Sequence, residues 1–198
     1  MMLISVVLAY LLGSIPFAYL YGRIFCGQDL RKVGSGNIGA TNLYRMAGLG
    51  PAVFVYFLDF SKGLVPVLLA RRFFGADSPG VILSGLGAIA GHNWTIFLKF
   101  RGGKGVATSS GVLCGLLPLY FILALAVFGA VLAMTKIISL SSLTASLAFF
   151  ILALFRASFS LKIFAGILFI LIVIRHIPNI RRMISGTENK IRHHNEKK

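Results

Sequence analysis

Gly105 to Thr135 reads GVATSSGVLCGLLPLYFILALAVFGAVLAMT, 31 consecutive residues without a charge. One straight α-helix of that length would reach ~46 Å, against a hydrocarbon core of ~30 Å. Gly115 and Pro118 lie near its middle, and proline lacks the N–H that an interior helical turn needs. The stretch is therefore predicted to be two helices that turn around Leu117, which makes this an all-α integral membrane protein.

The flanking sequence follows the same pattern. Met1 to Gly22 carries no charge before Arg23 and is long enough to cross a bilayer. It has no basic leading region and no small-residue cleavage site, so it is expected to stay as an uncleaved helix. Leu49 to Ala70 is apolar except for Asp59 and Lys62. Gly80 to Phe97, Ile137 to Phe155 and Leu161 to Ile174 complete the set. The expectation is one polytopic domain over residues 1–198 with about seven transmembrane helices, some of them short. A five-span arrangement with re-entrant short helices is the competitor.

Composition agrees. Of 198 residues 57% are hydrophobic and 13% charged, and mean hydropathy is +0.87. A soluble domain carries roughly 25% charged residues, so that class is excluded. The net charge of +15 would suggest nucleic acid in a soluble chain. In so apolar a chain it points instead to an anionic membrane face or an anionic substrate. The two cysteines, Cys26 and Cys114, fall near opposite faces and are expected to stay reduced.

Orientation follows from the Lys and Arg count. With the C-terminus inside, Arg23, Arg31, Lys32, Arg45, Lys99, Arg101, Lys104, Lys136 and seven tail residues are cytoplasmic, 15 in all. Arg71, Arg72, Arg156 and Lys162 are outside. That split predicts the N-terminus outside and the C-terminus in the cytoplasm. The last six residues are expected to be a solvated tail.

The long polar stretches, 31–48, 91–108 and 175–190, all fall on the cytoplasmic side of this topology. A bland scaffold would not need that asymmetry. In the first, Gly34, Gly36 and Gly39 match G-x-G-x-x-G. A dinucleotide fold needs a strand before the motif; a membrane helix and Asp29–Lys32 precede it, so that reading is rejected. The glycines still let backbone N–H groups approach an anion. Ser35, Thr41 and Asn42 add neutral donors, and the Arg45 guanidinium suits phosphate.

The second stretch runs from Gly91-His92-Asn93-Trp94 to Gly102-Gly103-Lys104-Gly105. The P-loop spacing fails because Gly105 follows Lys104. A lysine among glycines before a helix still makes a second anion seat. In the third, His176 sits where a span leaves the membrane, which suits hydrogen bonding or proton transfer. Glu188, one of five acids, is expected to pair with an arginine and fix the tail, with a role as a base the alternative.

Asp59 and Lys62 are three residues apart, so they share a helix face and are expected to pair. Ser139 and Ser142 lie at the inner end of their span, where they donate to substrate or to backbone. The histidines show no metal-ligand spacing, G-x-S-x-G is missing, and no histidine has an aspartate five residues on. No acyl-enzyme nucleophile stands out.

Together the motifs resemble the bacterial acyl-phosphate:glycerol-3-phosphate acyltransferase family (PlsY type). The resemblance rests on Gly34-Ser35-Gly36-Asn37-Ile38-Gly39-Ala40-Thr41-Asn42 with Arg45, and on Gly91-His92 with Gly102-Gly103-Lys104-Gly105-Val106-Ala107-Thr108. Its third part is Arg175-His176, Asn179-Ile180, Arg182 and Gly186-Thr187-Glu188. It covers essentially the whole chain. It implies a multi-pass protein of the bacterial inner membrane acting at the cytoplasmic face. The reaction would move a fatty acyl group from acyl phosphate to the 1-hydroxyl of sn-glycerol 3-phosphate, giving lysophosphatidic acid and phosphate. That is the first committed step of phospholipid synthesis.

No metal, prosthetic group, acyl-enzyme or nucleic acid is expected, and the chain is read as a monomer linked functionally to a soluble acyl-phosphate-producing enzyme. On this reading Ser35, Arg45 and Lys104 bind phosphate, and Asn37, Thr41, Asn42 and the glycines shape the seats. His176 and Asn179 orient glycerol phosphate, Glu188 organises the tail, and Asp59 with Lys62 supports the site. His92, His176 or a phosphate oxygen of the substrate is the base. The alternative from another class is a transporter of a phosphorylated metabolite, which would more often show internal repeats and midplane polar residues. A purely structural protein would leave the three clusters without a purpose.

Overall fold

The computed structural model describes residues 1–76, 78–156 and 158–191. Asp77, Ala157, Arg192 and the last six residues, expected above to be a solvated tail, lie outside the described residues. The described residues form helices and loops without a strand, packed as two compact units, Met1–Leu116 and Leu117–Lys198.

The first unit contains α1 (Met2–Ser14), α2 (Phe17–Phe25), α3 (Ala40–Ala47), α4 (Leu49–Phe74), α5 (Pro79–Asn93) and α6 (Val106–Leu116). α1 packs against α5 and α6 against α4 at backbone contact. A Cβ at Gly13 would meet the Ala88 carbonyl, and one at Gly91 the Tyr10 carbonyl. In the other pair Gly111 abuts the Phe60 carbonyl and Gly63 the Thr108 carbonyl. Small residues allow this approach, and in lipid, where burial supplies no drive between helices, close packing is what holds them. That accounts for much of the high glycine content.

The apolar stretch predicted as one first helix is broken. Pro16 ends α1, and Ile15 turns extended, at ψ 116°. Carbonyls at a helix end lack partners of their own. Here two neighbours supply them. Thr95 Oγ1 donates to the Ser14 carbonyl at 2.5 Å, and Lys62 Nζ to the Ile15 carbonyl at 2.7 Å. Tyr10 Oη closes the same region by donating to the Trp94 carbonyl at 2.7 Å.

The second unit contains α7 (Pro118–Thr135), α8 (Ile138–Arg156), α9 (Phe159–Arg175) and α10 (Ile177–Ile184). As the sequence predicted, helix stops at Leu116 and restarts at Pro118. α8 packs against α7 through Tyr120 and Phe149, and against α9 through two further aromatic pairs. Phe149 and Phe164 lie edge to face, with centroids 6.4 Å apart, and Phe150 stacks on Phe169 at 5.6 Å. The axis bends by 59° between α9 and α10, at His176.

All seven apolar segments are helical. Among the described residues five spans are long and apolar enough to cross a membrane, or six when the bent pair α9 and α10 counts as one. The remaining segment is α6. Its 11 residues cover ~16 Å, about half the hydrocarbon core. It runs parallel to the second half of α4, with Thr108 beside Gly63 and the Gly115 carbonyl taken by Arg71 Nη1 at 2.5 Å. Its start therefore lies at the level of Asp59 and Lys62. The glycine–lysine segment that precedes it reaches that depth too.

Candidate active site

The first glycine segment is a loop held from inside. Asp29 caps the 3-10 turn Leu30–Lys32, accepting from the Arg31 backbone N–H at 3.0 Å. The same carboxylate takes the Arg31 guanidinium, with Nη2 at 2.7 Å from Oδ2, and that guanidinium lies 4.9 Å over the Tyr19 ring. The hydrogen bond from Arg31 pulls the Asp29 carboxyl down to about 2, burial opposing only in part. Arg31 is thus occupied by a partner of its own. Arg45 stands in the last turn of α3, exposed.

Asn42 is 2% exposed and spends its amide on the loop. Its Oδ1 accepts from the Ser35 N–H at 3.0 Å, and its Nδ2 donates to the Leu30 and Val33 carbonyls at 3.0 and 2.9 Å. Gly34 and Gly36 have φ of 57° and 70°, the left-handed region that side chains avoid. Asn42 thereby shapes a curved backbone that exposes Ser35, while Gly39 opens α3 with extended backbone and Asn37 lies beside it. Thr41 is half-buried in the first turn of α3. Free N–H groups at a helix start favour an anion.

The second segment folds back on the end of α5. The Gly103 N–H donates to the His92 carbonyl at 3.0 Å and the Gly102 N–H to the Asn93 carbonyl at 3.2 Å. A Cβ at Gly103 would strike the His92 ring, and Gly105, at φ 80°, leaves only 2.6 Å to Asn93 Oδ1 for one. Lys104 sits half-buried between them at the entry to α6.

His92 is 6% exposed and faces two buried charges. Lys62 Nζ lies 2.7 Å from Asp59 Oδ1, and His92 Nδ1 lies 3.7 Å from the same oxygen. Asn93 carries no signature in the sequence. Its fixed carbonyl, and its amide oxygen buried without a hydrogen-bond partner, appear only once the loop is folded.

The third segment belongs to the second unit and centres on Glu188. Its Oε1 accepts from Ser139 Oγ at 2.9 Å and Asn179 Nδ2 at 2.6 Å, and its Oε2 from Arg182 Nε at 2.7 Å. The Ile191 N–H reaches the Lys136 carbonyl at 2.8 Å, so the tail is tied to the start of α8. Ser139 donates to this carboxylate, whereas Ser142 donates to the Ile138 carbonyl at 2.9 Å. His176 is 2% exposed, and its Nδ1 lies 2.8 Å from the Ile172 carbonyl. A carbonyl can only accept, so Nδ1 carries the proton and a neutral ring holds its lone pair on Nε2.

Burial pushes the Glu188 carboxyl upward, but the hydrogen bonds from Asn179, Arg182 and Ser139 outweigh it and leave it below the usual glutamate range. A lowered folded value means stabilisation that is complete above the ordinary value, ~4.3, and is lost as pH falls through the folded one. Glu188→Gln is expected to cost ~2 kcal/mol near neutral pH, the scale of hydrogen bonds to a charged group. Thermal melts of both proteins in one detergent should show a gap that closes on acidification. A gap unchanged down to the acid limit would remove the charge argument.

Among the described residues no three His, Cys, Asp or Glu side chains group as a metal site. The chain matches the family described as glycerol-3-phosphate acyltransferase across residues 3–186. It is 43% identical to a glycerol-3-phosphate acyltransferase of Macrococcus caseolyticus over 93% of this chain and 94% of that one. It is 42% identical to one from a Thermoanaerobacter species, over 95% and 94%. Two crystal structures of PlsY (YgiH), an integral membrane glycerol 3-phosphate acyltransferase, superpose on it. The glycerol 3-phosphate form has a TM-score of 0.93 at 38% identity, covering 96% of each chain. The lysophosphatidic acid form has 0.89 at 35%, covering 96% of this chain and 95% of that one.

Proposed function

Because this chain belongs to the glycerol-3-phosphate acyltransferase family, we propose that it acylates the 1-hydroxyl of sn-glycerol 3-phosphate from acyl phosphate. It is an acyltransferase and a multi-span membrane protein. Lysophosphatidic acid and inorganic phosphate are the products, made at the cytoplasmic face of the bacterial inner membrane.

The observation that carries the reading is the pairing of two left-handed glycine turns, at Gly34–Gly36 and Gly105, with Arg45 and Lys104 in one unit. Two substrates that each bear a phosphate need two such seats. Ser35 and Arg45 serve one and Lys104 with Gly102 and Gly103 the other. Asn37, Gly39, Thr41 and Asn42 hold the first in shape, and His92 the second. His176 and Asn179 orient the glycerol hydroxyls.

The chemistry balances without a covalent enzyme intermediate. The hydroxyl oxygen attacks the acyl carbonyl carbon, the C–O bond to phosphate breaks, and the hydroxyl proton ends on the released phosphate. His92, His176 or that phosphate oxygen takes the proton. The donor is already activated, so positioning and charge stabilisation account for the acceleration.

Labelled glycerol 3-phosphate supplied to the purified protein in lipid, with acyl phosphate, acyl-CoA or acyl carrier protein one at a time, is the direct assay. Lysophosphatidic acid from acyl phosphate alone is the expected result. Product only from a thioester would keep the acyltransferase and overturn the donor.

A further inference from the structure

Asp59 and Lys62 are 2% and 3% exposed inside a membrane helix. Buried ions are expensive, and well-packed apolar residues would often stabilise more. Lys62 has a local task at the α1 break, donating to the Ile15 carbonyl. The neighbouring Ser14 carbonyl receives the same service from neutral Thr95, so capping by itself calls for no charge. Asp59 balances Lys62, yet the oxygen that does so also faces His92 Nδ1. The far side of the His92 ring lies against Gly103, and the His92 carbonyl holds the Gly103 N–H. A continuous path therefore runs from the α1 break through Lys62, Asp59 and His92 to the Gly102–Lys104 turn.

We propose that Asp59 is a positioning residue for the second phosphate seat: its carboxylate, 3.7 Å from Nδ1, orients the His92 ring electrostatically and so sets the Gly102–Gly103–Lys104 turn. Lys62, 2.7 Å away, fixes that carboxylate in place. The inference rests on the reading that Lys104 seats a substrate phosphate. Removing Asp59 loosens the turn without touching Lys104, so the damage falls on the substrate whose KM Lys104→Ala raises.

Asp59→Asn alone would strand the Lys62 charge, so the test is Asp59→Asn with Lys62→Met, which removes both. The expected protein melts lower, because the Ile15 carbonyl loses its Lys62 donor, and per folded enzyme it loses at least tenfold in kcat/KM, mainly through KM for the Lys104-dependent substrate. His92→Gln by itself raises the KM of that same substrate at least as much, because Asp59 acts through that ring. Activity within twofold of the unmodified protein overturns the proposal, and so does a His92→Gln variant whose KM for that substrate is unchanged.

If the charge-free variant does not fold, Asp59→Glu decides. It keeps the ion pair but displaces the carboxylate by one methylene; a tenfold KM rise is expected, and an unchanged KM overturns the idea. Calorimetric binding of glycerol 3-phosphate and of inorganic phosphate, which needs no turnover, is measured alongside. An unmodified protein that binds them but makes no lysophosphatidic acid from acyl phosphate breaks the proposed reaction and leaves the Asp59 comparison readable as a ratio of binding constants.

Discussion

Arg45→Ala and Lys104→Ala are each expected to lower kcat/KM on the order of 10²-fold or more, carried mainly by KM. Truncating one partner of a hydrogen-bonded charge pair costs ~2–5 kcal/mol, and 1.4 kcal/mol is about tenfold. Lys104 directly precedes Gly105, whose φ is 80°, and Arg45 stands in the last turn of α3, the helix that follows the Gly34–Gly36 turn. The two losses should separate by substrate, one raising KM for glycerol 3-phosphate and the other for acyl phosphate. Arg45→Lys is expected to recover only part of the loss, because an ammonium cannot reproduce the two-pronged guanidinium contact. Initial rates with each substrate varied at saturating levels of the other give the assignment. Normal KM values for both substrates in both alanine variants would remove the anion-seat argument.

His176→Ala is expected to reduce kcat by ~10²-fold or more, the scale of a lost proton-transfer or orienting group, with a smaller change in KM. The ring also ties the end of α9, since Nδ1 donates to the Ile172 carbonyl at 2.8 Å. A loss of rate could therefore reflect a loosened bend. His176→Asn separates the two, because its amide can replace the Nδ1 donor while supplying nothing in place of Nε2. The asparagine variant should recover the melting temperature and not the rate. Turnover per folded enzyme equal to that of the unmodified protein in His176→Ala would show that the ring has no part in the reaction.

The helices were legible because runs of apolar residues long enough for a bilayer have few other uses. The turn around Leu117 followed from Pro118, and the Asp59–Lys62 pair from a spacing of three. The break after Ser14 was harder to read. Ile15-Pro16 sits inside an uninterrupted apolar run, and the donors that make a break tolerable, Lys62 and Thr95, are 47 and 81 residues away from the carbonyls they serve. The lengths of the short helices also resisted. Nothing between Gly105 and Leu117 tells that α6 begins at the level of Asp59, because that depth is set by glycine contacts with α4.

The candidate site divided in the same way. Residue types and local spacing marked the two glycine–cation seats and the Arg175–Glu188 tail. They did not show that Asp29 engages Arg31, nor separate Ser139, bound to Glu188, from Ser142, bound to its own helix. Those distinctions depend on which group lies across the fold.

By itself, the order of residues determined that this chain lives in a membrane, that its polar chemistry gathers in three segments, and which family those segments resemble. Hydropathy and short motifs are local properties, and they survive without a fold. Tertiary structure decided which charges are spent on structure, that Asn42 shapes its loop, and that Asp59 lies 3.7 Å from His92 across 33 positions. Contacts between residues far apart in the chain exist only once helices pack at backbone distance, and glycines on α1, α4, α5 and α6 make that approach.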